Sequence, residues 1–366
     1  HFAQYGLNLK KRPEFRLAPP QIGVLLHGVL KKYGQNLMDD HKKWHQISPE
    51  EQKGLTENII HELAGKLQNE ILYSNAQYQY FLKRLTQTVE KAVGHLTAFS
   101  ALTAFEPLAL EQSFGDRREG WQPLRFTLQG GISLEISGQI DRIDGVRTED
   151  QTYLLIIDYK SGNQKLVLEK VYHGLSLQLL TYLLAALEGM EALTESSHPH
   201  GAGILYYTLK NPLLTEDGPL DSETIEKEMT DALRMPGWLL KDKAILNLLE
   251  TSFEDQKETF FLPKIKLTSK DDFHSSFVRN LRSEEDFSDL LRHLESLLIS
   301  SGEKILAGNV QITPYQLQKQ VPCQFCDYRS FCGFDRFQGN HYRELESLKD
   351  ADIFQRLKKE GEENEQ

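Results

Sequence analysis

LLIIDYKSG, residues 154–162, is a run of aliphatic side chains that ends in an acid and a base one position apart. Side chains alternate across a β-strand, so Leu154, Ile156, Asp158 and Lys160 share one face, with the two charged groups about 7 Å apart along it. A strand suited to the inside of a sheet thus delivers a carboxylate and an ammonium to one spot. A second acid comes just before it. SGQIDRID places Asp141 on a strand ahead of the polar turn VRTEDQ. Two strands joined by so short a connection bring Asp141 and Asp158 to the same end of a sheet. Facing carboxylates repel unless a cation lies between them, and oxygen or oxygen-plus-imidazole ligation suits Mg²⁺ or Mn²⁺. Lys160 would then touch whatever anion the metal holds. Asp144 alternates to the face opposite Asp141 and is assigned to a turn or a salt bridge.

The period of two begins near Pro107. LALEQSFG, LRFTLQ, ISLEISGQIDRID and TYLLIIDYK read as successive strands, with Gly130-Gly131 and VRTEDQ as turn material. A helix follows in LEKVYHGLSLQLLTYLLAALEGM, then a buried strand in GAGILYYTL. Residues 17–105 read as helices. Pro19 and Pro20 open QIGVLLHGVLKKYG, where Gly34 is expected to end the helix, and two longer segments follow with apolar residues three and four apart. The order helix, strands, helix, strand predicts the α/β class, a mixed central sheet flanked by helices. Residues 211–310 are acidic and read as a mostly helical insertion, with NPLLTEDGPLDSET as a loop and FSDLLRHLESLLISSGEKIL as a long amphipathic helix. The tail from Glu344 reads as a frayed, solvated helix. The expected organisation is an N-terminal helical part (1–105), a core (106–210), the insertion (211–310), and a cysteine segment with its tail (311–366).

With 366 residues, 39% of them hydrophobic, the chain can bury a large core. No run approaches the length of a membrane span and no signal-peptide pattern opens the chain, so a cytoplasmic location is expected. The start at His1, in sequence that already looks ordered, suggests a piece of a longer polypeptide. A net charge of −11 excludes a uniformly basic, nucleic-acid-coating protein, although residues 1–45 carry a local excess of +5 and Lys10, Lys11 and Arg12 adjoin one another. All three cysteines, Cys323, Cys326 and Cys332, lie in CQFCDYRSFC. An odd, clustered set reads as metal ligation rather than disulfides, with zinc and iron–sulfur chemistry both open.

Two helical pairs complete the pattern. Gly23 and His27 are four apart on one face, where the glycine would permit close approach and the histidine would reach the site; Gln178 and Tyr182 are four apart on the helix after the Asp-x-Lys strand. Gly-x-x-x-His, Gly-x-x-Asp, Asp-x-Lys and Gln-x-x-x-Tyr together resemble the RecB-like branch of the restriction-endonuclease-like, PD-(D/E)XK nuclease superfamily. In the order GQIDRID, IIDYKSG, VYHGLSLQLLTYL and CQFCDYRSFC, the chain is most similar to the nuclease regions of AddB-type subunits of bacterial helicase-nucleases.

That resemblance implies a restriction-endonuclease-like fold and a Mg²⁺- or Mn²⁺-dependent deoxyribonuclease cutting single-stranded DNA unwound from duplex ends, with an AddA-type helicase-nuclease subunit as partner. It implies metal ligation by His27, Asp141, Asp158 and the carbonyl of Tyr159. Lys160 would orient the nucleophile or stabilise transition-state charge, and Gln178 and Tyr182 would position the lysine or the strand. It further implies a 4Fe–4S cluster on Cys323, Cys326 and Cys332, with a fourth cysteine upstream of His1, acting as a staple between the ends of the domain. Rival readings are a stand-alone exonuclease of the CRISPR-associated type, and an inactive module that guides DNA or braces a partner. No Gly-x-x-x-x-Gly-Lys-Ser/Thr phosphate loop is present, so ATP use is not expected of this chain.

Overall fold

A computed structural model of the chain describes residues 6–9, 15–116, 120–149, 151–192, 198–212, 221–330 and 332–364. The basic run 10–12 and positions 213–220 of the expected loop lie outside the described residues.

Three helices come first: α1 (Pro19–Asp39), α2 (Pro49–Lys66) and α3 (Ala76–Leu102). Prolines occupy the first turn of α1, where their missing N–H groups have no intrahelical acceptor to lose. Ser48 and Glu51 form a reciprocal capping box at the start of α2, each side chain bonding the other's backbone N–H. Gly34 does not end α1, contrary to expectation. The helix runs on to Asp39, and a Cβ at Gly34 would lie 2.4 Å from Leu110 Cδ1. The glycine is there for close packing of helix on sheet.

The strands that follow are β1 (Glu106–Phe114), β2 (Leu124–Thr127), β3 (Ser133–Ile136), β4 (Gly138–Arg147) and β5 (Thr152–Lys160), then β6 (Pro199–Thr208), β7 (Gly237–Leu240) and β8 (Leu281–Arg282). Six of them form a mixed sheet in the order β1-β4-β5-β6-β7-β8. The β5–β6 and β7–β8 pairs are parallel and the others antiparallel. The expected α/β class is therefore observed. The continuous strand expected over ISLEISGQIDRID is two, broken at Ser137, and β2 with β3 forms a separate antiparallel ribbon turned by Gly130 and Gly131, both at positive φ. Eight of the nine residues of β5 are buried, which explains its aliphatic run.

The helix expected over residues 168–190 is also two: α4 (Leu168–Tyr172) and α5 (Gln178–Glu191), separated at Gly174, whose φ is +73°. A left-handed residue cannot continue a right-handed helix. Within 211–310, helices α6 (Ser222–Ala232), α7 (Lys243–Leu249), α8 (Phe253–Gln256) and α9 (Glu284–Leu306) form as expected, but β7 and β8 also arise there and extend the central sheet. The short strands β9 (Tyr315–Leu317) and β10 (Arg343–Leu345) pair in parallel on either side of the cysteine segment. The tail is not a solvated helix: α10 (Asp350–Asn364) packs on α9 and buries Ile353 and Leu357. No described helix is long and apolar enough to cross a membrane.

Candidate active site

The β4–β5 ladder ends at Arg142 opposite Ile157, and the same register carried one step further sets Asp141 opposite Asp158. There the Tyr159 N–H donates to Asp141 Oδ2 at 2.6 Å, a side-chain acceptor taking up a strand-end donor. Asp141 Oδ1 faces α1, where His27 Nδ1 lies 3.3 Å away. The same nitrogen is 3.6 Å from Glu111 Oε1 of β1. Burial opposes a charge on His27, but Asp141 and Glu111 outweigh it and lift the imidazole to about 10, which favours an imidazolium between the two carboxylates as long as no metal is bound.

Asp158 is 1% exposed. Burial first, and then the charge of Asp141, push its carboxyl up to about 6, against the opposing pull of Lys160 and His27. Lys160 Nζ lies 2.5 Å from Asp158 Oδ2, in an ion pair without hydrogen-bond alignment, and donates to Gln178 Oε1 at 2.9 Å. Gln178 Nε2 in turn donates to Tyr182 Oη at 2.9 Å. Gln178 can reach the lysine because the break at Gly174 lets α5 start at this residue. A chain of contacts therefore runs Asp158–Lys160–Gln178–Tyr182 beside the His27–Asp141 pair.

Of the residues expected at the site, His27, Asp141, Asp158, Lys160, Gln178 and Tyr182 enter this network, and Tyr159 joins through its N–H and through a ring edge-on to His27, with centroids 5.6 Å apart. Gly23 does not act as expected: a Cβ there would meet no described atom within 4 Å, so no close approach among the described residues requires a glycine. Asp144 makes the salt bridge assigned to it, accepting from Arg142 Nε at 2.7 Å and Nη2 at 2.8 Å on the face away from Asp141. The pair is buried under Trp44, which stacks 4.9 Å from the guanidinium.

Glu111 was not anticipated. One ligand atom each from His27, Glu111 and Asp141 lie within 4.8 Å of one another, a possible metal site. Glu111 sits at φ +50° in the interior of β1, and its Oε1 is buried without a hydrogen-bond partner. A non-glycine residue held there is strained, and a buried acceptor with His27 at 3.6 Å but no hydrogen bond is under-satisfied; both features fit a metal cation taking the place of the His27 proton. Asp158 is not part of this tight set, and its Oδ2 is engaged by Lys160.

At the other end of the chain, Cys323, Cys326 and Cys332 are unpaired and line one small cavity with Arg329 and Tyr342. Tyr328, within the cysteine segment, donates its hydroxyl to the Leu9 carbonyl at 3.2 Å, so the segment lies against residues near the N-terminus.

A mixed sheet whose paired strand ends present an acid, a second acid and a lysine, with a histidine from the first helix, defines a nuclease of the restriction-endonuclease-like kind. The chain belongs to the PD-(D/E)XK nuclease superfamily, whose family model matches residues 1–333. It is 38% identical to a protein of Desulfitobacterium hafniense named as an ATP-dependent helicase/deoxyribonuclease subunit, over 99% of this chain and 31% of that one. Proteins of the same name from Exiguobacterium sibiricum and Bacillus subtilis are each 34% identical, over 99% and 100% of this chain and 31% of their own length. The similarity to AddB-type subunits read from the motifs is thus present along the whole chain, which spans about a third of the length of these curated relatives.

Proposed function

We propose that this chain is a metal-dependent deoxyribonuclease domain that hydrolyses phosphodiester bonds in single-stranded DNA, acting exonucleolytically within a cytoplasmic helicase-nuclease that processes double-strand breaks for recombinational repair. Its relatives' names pair a helicase with a deoxyribonuclease, and an AddA-type helicase-nuclease is the partner this reading requires. The observation that carries the proposal is the placement of the Lys160 ammonium, held between Asp158 and Gln178, next to the His27–Glu111–Asp141 cluster. The arrangement favours the enzyme over an inactive DNA-guiding module, because a guiding surface has no use for a lysine held between a buried carboxylate and a glutamine beside a three-residue cluster suited to a metal.

Glu111, Asp141 and Asp158, with the Tyr159 carbonyl and with His27 once its imidazolium has released a proton, would hold Mg²⁺ or Mn²⁺. When bound, the ion would supply Lewis acidity and a bound water of lowered pKa. Lys160 places positive charge where the scissile phosphate gains negative charge, and it is oriented by Asp158 and Gln178 rather than left to rotate. Gln178 is fixed by Tyr182, which sets the direction of the Gln178 oxygen toward the lysine. Burial of Asp158 excludes water from its far side and keeps its interaction with Lys160 strong.

Cys323, Cys326 and Cys332 are proposed to hold a 4Fe–4S cluster with a fourth thiolate from upstream sequence, and the contact between Tyr328 and Leu9 supports a role as a staple between the two ends. The four segments 1–105, 106–210, 211–310 and 311–366 are the proposed organisation, with β7 and β8 joining the third segment to the core. Incubation of a labelled single-stranded oligonucleotide with the chain and Mg²⁺ or Mn²⁺ tests the activity. Products are expected from the wild type and none from Asp158→Ala or Lys160→Ala; cleavage that survives both substitutions refutes the site. Iron and labile sulfide in the longer polypeptide, lost on Cys326→Ser, test the cluster.

A further inference from the structure

Beyond the strand ends that carry Asp158 and Lys160, the structure holds a cavity of about 640 Å³ that none of the site residues above explains. Its walls are the loop after β5, from Asn163 onward, the end of β6 at Thr208 and Lys210, and segments at β7 and β8. It adjoins the proposed site directly, since Leu209, between two of its lining residues, donates its N–H to the Lys160 carbonyl at 2.7 Å. Among the described residues, six cationic side chains line it against a single acid, Asp350. Two of the six are neutralised nearby, Arg234 by Asp231 and Lys264 by Glu258. Lys165, Lys210 and Arg279 make no ion pair with a described carboxylate; Lys210 donates to the neutral Asn163 amide at 3.2 Å.

The sixth is Arg282, 3% exposed. Its Nη1 donates to the carbonyls of Arg279 and Leu281 at 2.9 and 2.7 Å, while Nε and Nη2 have no hydrogen-bond partner among the described residues. Asp350 Oδ2 is 4.0 Å from Nη2, too far for a hydrogen bond. The guanidinium is stacked 4.3 Å from the Trp238 ring, which fixes its plane. Two buried, oriented donors without acceptors are expensive to maintain, and an arginine fork matches two oxygens of a phosphate.

We propose that this cavity is a phosphate subsite that grips the backbone of the nucleic-acid strand being cut, away from the scissile bond, with Arg282 at its floor and Lys165, Lys210 and Arg279 at its rim. The assignment rests on the nuclease reading and extends it, by naming where the strand is held while Lys160 faces the scissile phosphate. Phosphate contacts of this kind position a strand without reading its sequence.

Binding of a short labelled single-stranded oligodeoxynucleotide, measured by fluorescence anisotropy in EDTA over a range of salt, tests it. Lys165→Glu with Arg279→Glu, both exposed, is expected to weaken binding about tenfold or more and to lower the slope of log affinity against log salt by about 1.4, the value for two lost contacts. Lys53→Glu with Lys83→Glu, on α2 and α3, makes the same change in net charge and is expected to leave both unchanged. Arg282→Gln is expected to weaken binding as well, with the thermal midpoint measured alongside; the exposed pair decides the case if this variant does not fold. Equal losses from the two charge-reversed pairs overturn the proposal, as does loss of binding to a free mononucleotide but not to the oligonucleotide. Unchanged affinity in a chain that cuts DNA removes the subsite and leaves the nuclease. Weakened affinity in a chain that cuts nothing with any divalent ion removes the nuclease and leaves a strand-binding cavity.

Discussion

Replacing Asp158 by asparagine is expected to stabilise the metal-free protein while abolishing its activity. The carboxyl is raised from its ordinary 3.8 to about 6, so keeping it ionised in the folded chain at pH 8 costs about 3 kcal/mol at 1.36 kcal/mol per pH unit. That cost is already net of the attraction of Lys160 and His27, so asparagine, which cannot ionise, removes it whole, while Lys160 keeps its bond to Gln178. The gain is then at most about 3 kcal/mol, and with an unfolding entropy of roughly 2.1 cal/mol/K per residue the melting temperature of a 366-residue chain rises by up to about 4 °C. The sign depends on pH. A carboxyl raised in the folded state favours folding below its unfolded value near 4, and this advantage is lost as pH climbs through about 6. The variant's advantage in EDTA should therefore be small or reversed near pH 4 and fully developed by pH 7–8. Excess Mn²⁺ should raise the wild-type midpoint and move the variant little. Melting curves in EDTA and in Mn²⁺ at several pH values provide the measurement. A variant less stable than wild type at pH 8 in EDTA, or a difference that does not change with pH, refutes the account of Asp158 as a buried carboxylate held for a cation.

Three further outcomes follow from the same geometry. Glu111→Gln should weaken the response to divalent ions by about 10–100-fold while leaving the EDTA midpoint unchanged or higher, and a metal titration of the midpoint shows it; an unaltered titration excludes Glu111 from the site. Gln178→Ala frees Lys160 on one side and should lower kcat about tenfold or more with little change in KM, whereas Tyr182→Phe, which leaves Gln178 its contact with Lys160, should do less; a change confined to KM would instead make Gln178 a strand contact. Arg142→Met leaves Asp144 buried without its cation and should cost about 3–5 kcal/mol, and adding Asp144→Leu should recover most of it, read by denaturant unfolding; no recovery would mean that Arg142 acts mainly through Trp44.

The site is legible in the sequence to the extent that local periodicity determines it. Asp158 and Lys160 share a face because a strand has period two, Asp141 is brought to them by a short antiparallel connection, and Gln178 and Tyr182 are one helical turn apart. Glu111 escapes because nothing local marks it. It reaches Asp141 only through the pairing of β1 with β4, which skips over the β2–β3 ribbon, and through a backbone at φ +50° that no strand pattern encodes. The two glycines show the same division from the other side. Gly34 has a sequence position compatible with a helix stop, yet the contact that requires it comes from Leu110, more than seventy residues away, so only the tertiary structure tells a stop from a packing site. Gly174 reads as interior to a helix because its neighbours on both sides are helical in pattern, but its left-handed backbone breaks the segment and lets α5 begin at Gln178. The lysine proposed to act at the scissile phosphate is therefore oriented by a residue whose identity the motif gives and whose position depends on a break that the motif does not contain. Gly174→Ala tests this dependence: it should disfavour the left-handed turn by about 1 kcal/mol, loosen the Gln178–Lys160 contact and lower kcat in the direction of Gln178→Ala, and normal turnover in a variant of reduced stability would separate the break from the chemistry.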